Sequence, residues 1–441
     1  MDCNKVAVQH ISRVSDYRKP SHISEISVQA EDGRRMVYGL PVYNIKQEEY
    51  SFAVDPSKAN TTTNRVTISE SKPGEINHKA GLDEYYNKEV QPAYATSHLL
   101  TAVLSSDYSD LTGDGITADD AGTAVKFNYS KINAPFKWRT PYDQAMYNRA
   151  LYADPTDDKG SFVYGEKELW YLHSIESKNM IAYFITDDRQ DGLGVLNYMG
   201  GKNDAVKQRR LREIRLYAKN NLSVPIKTVV MEYGYTLCNG VPNSNAGGKL
   251  TLNKVYFKYA SSGKGVHHPY VFEYKNTAGF GILQTDRWGT YKPSTANTAN
   301  GWPDLKNDEF PYAVQNSDAN EQVDMWQLTT VKLPTGGTLH VGYEADDYAY
   351  VQDRRSMGMT NILAMIKGDG AVTTNLNEAK GLRIKIPYAK TDGEATTWFV
   401  REYRIMNPSC MRGCSSISAT CRKAQTNSFM ISFLLICWWT K

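Results

Sequence analysis

The stretch from Arg209 to Tyr291 reads as consecutive β-strands with their turns, and this ladder restricts the chain to sheet architectures more than any other feature. The strands expected in it are Leu211–Tyr217, Thr228–Tyr235, Leu250–Tyr259 and Tyr270–Tyr274. In the third, Leu250, Leu252, Val255, Phe257 and Tyr259 fall mostly two apart, which places them on one face of an extended strand; Lys254, Tyr256 and Lys258 take the other. One face is therefore expected to be dry and the other wet.

The flanks read in the same way. Glu31-Asp32-Gly33 marks a hairpin, because Asp-Gly supplies the positive φ that a tight turn needs. Trp326–Leu333 and Thr338–Tyr343 form a second hairpin around Pro334-Thr335-Gly336-Gly337, and short strands follow at Leu382–Ile386 and Trp398–Ile405. Phe162–Tyr164 and Glu168–His173 read as strands around a turn-like Gly165-Glu166-Lys167. The polar text from 55 to 79 has no period and reads as a surface loop with one short strand at Val66–Ile68. A helix is expected over Ala93–Ser105, where Ala95, Leu99, Leu100, Val103 and Leu104 recur at three- and four-residue spacing behind Pro92. Gln144–Ala153 reads as a weaker helix.

Strands that follow one another with few crossover helices predict antiparallel pairing. The expected fold is mostly β: antiparallel sheets, sandwich-like or forming a partial shell, with a small helix and loop insertion. The expected organisation is an N-terminal β segment over 1–60, a polar linker over 61–92, the insertion over 93–160, the main β-rich region over 161–407 and an atypical tail over 408–441.

Composition narrows the function classes. With 51 basic residues against 48 acidic and no Lys/Arg run to track phosphates, nucleic acid is not an expected partner. Tyrosine is over-represented, at 30 residues against 12 Phe and 8 Trp, which favours strands half buried with their hydroxyls wet. The first twenty residues carry no apolar export signal, and the strand pattern that follows them suggests that the sheet begins further upstream. Cys410, Cys414 and Cys421 lack the paired C-x2-C spacing of a zinc site. The closing SFLLICWWTK is too short to span a membrane, and the tail from Ser409 onward is expected to be foreign to the fold.

The most specific chemical signal is the loop from Asp107 to Asp120. Calcium takes six to eight oxygen ligands from a tightly curled loop. Asp110, Thr112 and Asp114 stand at the first, third and fifth positions, Gly115 makes the bend and the Ile116 carbonyl falls seventh. The twelfth position of an EF-hand, a bidentate Glu, is here Ala121, and the nearest acids are Asp119 and Asp120. The same residue types also build Asx turns without metal.

Other candidates are weaker. Glu166 with Glu168, or Asp346 with Asp347, could pair as in a glycosidase, but the first pair flanks Lys167 beside a turn and the second lies in an acidic stretch. His267 and His268 are adjacent and would point to opposite faces of a strand. Trp138, Trp170, Trp288, Trp302 and Trp326 could serve as sugar-stacking platforms or as core packing. No nucleophile elbow, P-loop, zinc-protease or dinucleotide motif occurs.

Several segments taken together resemble a family of very large secreted or cell-surface proteins of Bacteroidota, related in style to RHS/YD-repeat proteins. They are VYGLPVYN (Val37 to Asn44), the DYSDLTGDG loop, PFKWRTPY (Pro135 to Tyr142), Asp157 to Ile175, DRWGTYKP (Asp286 to Pro293) and Leu333 to Arg355. The resemblance implies a non-enzymatic structural or interaction segment of a longer exported parent, with partners among other parts of that parent or at a surface. Two alternatives accompany it: part of an RHS-like shell around a toxin, or a carbohydrate-binding or carbohydrate-active module.

Overall fold

The computed structural model describes residues 12–55, 59–60, 63–67, 84–148, 158–286, 289–293, 319–345, 350–351, 354–355, 362–375, 377–384, 419–423 and 429–433. The fold is mostly β, and every described strand pair runs antiparallel. In chain order the first strands are β1 (Ile26–Gln29), β2 (Arg35–Tyr38), β3 (Leu40–Ala53), β4 (Ala59–Asn60), β5 (Arg65–Val66), β6 (Tyr86–Gln91), β7 (Tyr94–Leu99) and β8 (Ala102–Leu104). After the Asp-rich loop come β9 (Ala124–Lys131), β10 (Phe136–Thr140), β11 (Ala145–Asn148), β12 (Lys159–Lys167), β13 (Trp170–Glu176), β14 (Met180–Asp188), β15 (Gly194–Asn197) and β16 (Gly200–Asn203). The central ladder is β17 (Arg209–Ala218), β18 (Lys227–Leu237), β19 (Lys249–Tyr259) and β20 (Tyr270–Tyr274); the one-turn α1 (Ala319–Gln322), β21 (Leu328–Lys332) and β22 (Thr338–His340) follow.

These elements belong to one compact unit, residues 1–294 with 308–344. Its larger sheet has twelve strands in the order β1-β2-β8-β9-β13-β14-β17-β18-β19-β20-β21-β22. The second has eight: β4-β5-β11-β12-β3-β6, with β10 also on β12 and β7 also on β3. The other unit, residues 295–307 with 345–441, holds the pair β23 (Tyr350–Val351) and β24 (Arg354–Arg355). It also holds a sheet of β25 (Ile362–Ile366), β26 (Val372–Thr373), β27 (Gly381–Ile384), β28 (Ala419–Lys423) and β29 (Phe429–Phe433). The tail thus supplies two strands of this sheet, β29 pairing β27 and β28 pairing β29.

The ladder and both hairpins are present. Gly33 turns between β1 and β2 with φ +82, and Gly336 between β21 and β22 with φ +89. The helix expected over Ala93–Ser105 is instead two strands, β7 on β3 and β8 between β2 and β9. They meet at Thr101, whose N–H and hydroxyl both donate to the Val37 carbonyl. The helical spacing of Leu99, Leu100, Val103 and Leu104 therefore comes from two short strands on either side of a break. The weaker helix begins as β11, and its residues 149–153 lie outside the described residues, as does the strand expected over Trp398–Ile405. The end of the polar segment read as a linker is β6, paired along β3 from Gln47 to Phe52.

The two faces of β19 also differ from expectation. Asn253 is an extra residue: Leu252 pairs with Tyr233 and Lys254 with Glu232. The bulge keeps Leu250 and Leu252 on the face of Val255 and Phe257, as expected. Yet Tyr256 is only 7% exposed on the face expected to be wet, while Tyr259 on the other is 57% exposed. Tyr256 lies opposite Val230, and the same face of neighbouring strands carries the buried cluster Ile181, Tyr183, Ile185 and Tyr217. The drier side is thus set by aromatic and branched residues several strands away.

Gly165-Glu166-Lys167 is not a turn but the end of the nine-residue strand β12. Gly165 stands opposite Trp138 on β10, and a Cβ there would come within 2.5 Å of the indole. The glycine is present because the ring occupies the space of its side chain. The core of the eight-stranded sheet joins Tyr50, Phe52, Val66, Tyr147, Phe162 and Tyr164 to Val195 of the β15–β16 hairpin. Each fully buried aromatic or branched side chain contributes about 1.5–3 kcal/mol. Tyr50 stacks on Phe162 at 4.4 Å, and the Arg139 guanidinium lies over the Phe162 ring, 4.2 Å from its centroid.

Candidate functional site

The Asp-rich loop joins β8 to β9, which pair from Ala102–Lys126 to Leu104–Ala124. Its mouth is closed by a second, isolated bridge: Ser109 and Ala121 exchange backbone hydrogen bonds of 3.2 and 3.1 Å. Gly122, at φ +75, lets the returning strand pass Tyr108, whose backbone would lie 2.8 Å from a Cβ. The loop tip, 110–120, is therefore held at both ends.

Within the tip the carboxylates organise the backbone. Asp110 accepts the N–H groups of Thr112 (3.2 Å), Gly113 (2.6 Å) and Gly115 (3.0 Å). Gly113 and Gly115 have φ +76 and +92, so the curl itself depends on glycine. Asp120, 6% exposed, accepts the Tyr108 hydroxyl and the Thr117 N–H, both at 2.8 Å, and the Leu111 N–H at 3.4 Å. The Thr117 N–H, reinforced by Tyr108, holds the Asp120 carboxyl below the ordinary carboxylate range despite its desolvation. Desolvation and the bond to Asp120 push the Tyr108 phenol up to about 12.

Of the expected ligands, the fold brings Asp110, Asp114 and Asp120 together, with one oxygen from each lying within 4.8 Å of the others. Thr112 joins them by donating its hydroxyl to Asp114 at 2.7 Å. Asp119 turns to the Thr117 hydroxyl at 2.6 Å, and the Ile116 carbonyl accepts Lys126 Nζ at 3.1 Å. Three carboxylates this close repel one another, and a hard cation with oxygen ligands is the partner that such a set can hold. Each carboxylate oxygen has two lone pairs, so the backbone bonds to Asp110 and Asp120 leave acceptor capacity for an ion. Beside the cluster lies a cavity of about 250 Å³ bordered by Tyr108, Thr117, Asp120, Lys126, Glu176 and Lys219.

The other candidates have different surroundings. Glu166 accepts the Tyr164 hydroxyl at 2.6 Å. Glu168 lies at the passage from β12 in one sheet to β13 in the other, and its side chain has no exposed surface. It takes Tyr17 (2.6 Å), Lys131 (2.6 Å) and Arg18 (2.7 Å, to both oxygens), with the Trp170 indole N–H at 3.1 Å and the Tyr43 N–H at 3.2 Å. Burial alone would raise its pKa, but Lys131, Tyr17, Arg18 and Trp170 outweigh it and hold the carboxyl at about 2. This joint was not foreseen; the only signal in the sequence is an acid between apolar strands, which local pattern does not connect with Arg18. His267 ends a 3-10 turn (Lys264–His267) before β20. Trp138 covers Gly165, Trp170 serves Glu168, and Trp288, Trp302, Asp346 and Asp347 lie outside the described residues, as do Cys410, Cys414 and Cys437.

No family model, curated protein or solved structure matches the chain.

Proposed function

We propose that the chain is a non-enzymatic structural or interaction segment of a large secreted or cell-surface protein, stiffened by calcium bound in the β8–β9 loop. The observation that carries the calcium reading is the convergence of Asp110, Asp114 and Asp120 at the end of a hairpin closed by the Ser109–Ala121 bridge. Asp110, Asp114 and Asp120 would hold the ion, with Thr112 beside them; its chemistry would be charge neutralisation and cross-linking of the loop. The exported context rests on the resemblance of Val37 to Arg355 to secreted RHS-like polypeptides. Calcium is abundant outside cells, and extracellular modules bind it at about 10⁻⁴–10⁻³ M.

Titration calorimetry of the full chain with calcium chloride tests the reading, with magnesium chloride as control. Saturable calcium binding, a raised melting temperature and a roughly tenfold weaker affinity in Asp114→Asn are expected. Asp114 is the informative position because among the described residues it accepts only the Thr112 hydroxyl, whereas Asp110 carries the backbone turn. No heat and an unchanged melting temperature at several millimolar calcium would remove the ion from the proposal.

A further inference from the structure

The twelve-stranded sheet carries a row of hairpin loops at one end, because β13–β14, β17–β18, β19–β20 and β21–β22 are antiparallel neighbours that all turn there. These loops are residues 177–179, 219–226, 260–269 and 333–337, and none of them contains an Asp or a Glu. They hold instead Lys178, Lys219, Lys264, His267 and His268. The acidic loops at this end are the β1–β2 turn and the Asp-rich β8–β9 loop, so the rim has an acidic half and a basic half.

The basic half is also apolar where it meets water. Leu222, Val224, Ile226 and Val266 are 43–46% exposed, and the more exposed Tyr259 stands at the base of the third loop. Ordered backbone presents these side chains. Asn221 accepts both the Ser223 N–H, at 3.1 Å, and the Ser223 hydroxyl, at 2.6 Å. The Ile226 N–H donates to the Leu216 carbonyl and the Ala260 N–H to the Ile226 carbonyl, while a 3-10 turn carries Val266. Aliphatic side chains held out in this way gain free energy by transfer to an apolar medium. Lys219 is engaged with Glu176, the last residue of β13, at 3.1 Å, but among the described residues Lys178 and Lys264 make no ion pair. Cores of protein interfaces are depleted in lysine, whereas a lipid boundary accepts aliphatic and basic side chains together, the first beneath the headgroups and the second among the phosphates.

We infer that this half of the rim is a docking surface for an anionic lipid bilayer. Leu222, Val224 and Val266 enter the boundary between headgroups and acyl chains, Tyr259 lies at headgroup depth, and Lys178 and Lys264 pair with lipid phosphates. The inference rests on the cell-surface reading only for where the lipid is met, and it does not involve the calcium loop.

Flotation of the full chain with vesicles in EDTA tests it, free of both the calcium reading and the cellular setting. The protein should float with vesicles of phosphatidylcholine mixed with phosphatidylglycerol and stay behind with phosphatidylcholine alone. Leu222→Ser combined with Val224→Ser, and Lys178→Glu combined with Lys264→Glu, should each weaken binding roughly tenfold or more. All four side chains are exposed, so melting temperatures should stay at the wild-type value, which separates loss of contact from loss of fold. Leu111→Ser, equally exposed but on the acidic half, should float like the wild type. In Leu222→Trp the indole emission should shift to shorter wavelength when the mixed vesicles are added. The inference is overturned if the mixed vesicles do not bind, if both double variants keep full binding, if Leu111→Ser weakens binding as much as they do, or if inorganic phosphate matched to the lipid phosphate displaces the protein, which would make this a site for a free anion.

Discussion

At the scale of single residues, Glu168 and the tyrosines show how this chain reconciles charge with burial. A carboxylate without exposed surface stays ionised only if donors replace its water, and Tyr17, Arg18, Lys131 and Trp170 do so here. Removing it strands Arg18, whose side chain is 4% exposed; Glu168→Ala should therefore cost about 3–5 kcal/mol in urea unfolding. The exposed Arg34–Asp32 pair provides the contrast: Asp32→Ala should leave the urea midpoint close to that of the wild type. The folded pKa of Glu168 lies below its ordinary 4.5, so its stabilisation is fully present above that value and disappears as the pH falls towards about 2. Thermal melts across this interval should fall more steeply for the wild type than for Glu168→Gln, and equal slopes would contradict the assignment. The tyrosine excess has a related explanation. Hydroxyls expected to stay wet instead donate to carboxylates, Tyr50 to Glu48, Tyr164 to Glu166 and Tyr147 to Asp158. The first two pairs are two residues apart on one strand face, a spacing visible in the sequence once the strand is known.

At the scale of elements, the strands that alternate in isolation were legible and the interrupted ones were not. β20 coincides with its expected limits, β17 and β18 overrun theirs by one or two residues at each end, and β19 begins one residue early and ends where expected. β7 and β8 imitate a helix because a one-residue period break at a strand junction produces the same three- and four-residue spacing. β12 was cut short by its glycine, since nothing local announces that Trp138 fills the place opposite Gly165. Gly165→Ala should accordingly destabilise by about 1–3 kcal/mol through displacement of the indole. Gly263→Ala, with open space around its Cβ position, should change stability by less than about 0.5 kcal/mol. Chemical unfolding of both variants checks the pair, and equal effects would mean that the Trp138 contact carries no strain. In the candidate site, the Asp-x-Thr-x-Asp-Gly spacing was enough to select Asp110 and Asp114. Which of Asp119 and Asp120 joins them depends on the hydrogen bonds from Tyr108 and Thr117, which spacing does not encode.

At the scale of the whole molecule, the twelve-stranded sheet remains open among the described residues, with β1 and β22 as its outer strands. All residues of both are exposed, including Val28 at 43% and Leu339 at 55%. Unpaired backbone beside apolar side chains is a template for another strand. Val28→Lys combined with Leu339→Lys should lower the sedimentation-derived association of concentrated protein while leaving its melting temperature close to that of the wild type. Unchanged association would show that these edges are not where copies meet.

The joint at Glu168 also sets an order of events in the cell. Arg18 and Glu168 are 150 residues apart in the chain. At a synthesis rate of about 5–20 residues per second, the guanidinium waits on the order of ten seconds for its carboxylate to be made. The segment around Tyr17 and Arg18 is therefore translated first and seated late, after β3, β9 and β12 have all left the ribosome. A synonymous change that slows translation just before codon 168 would lengthen that wait without altering a single contact in the finished protein.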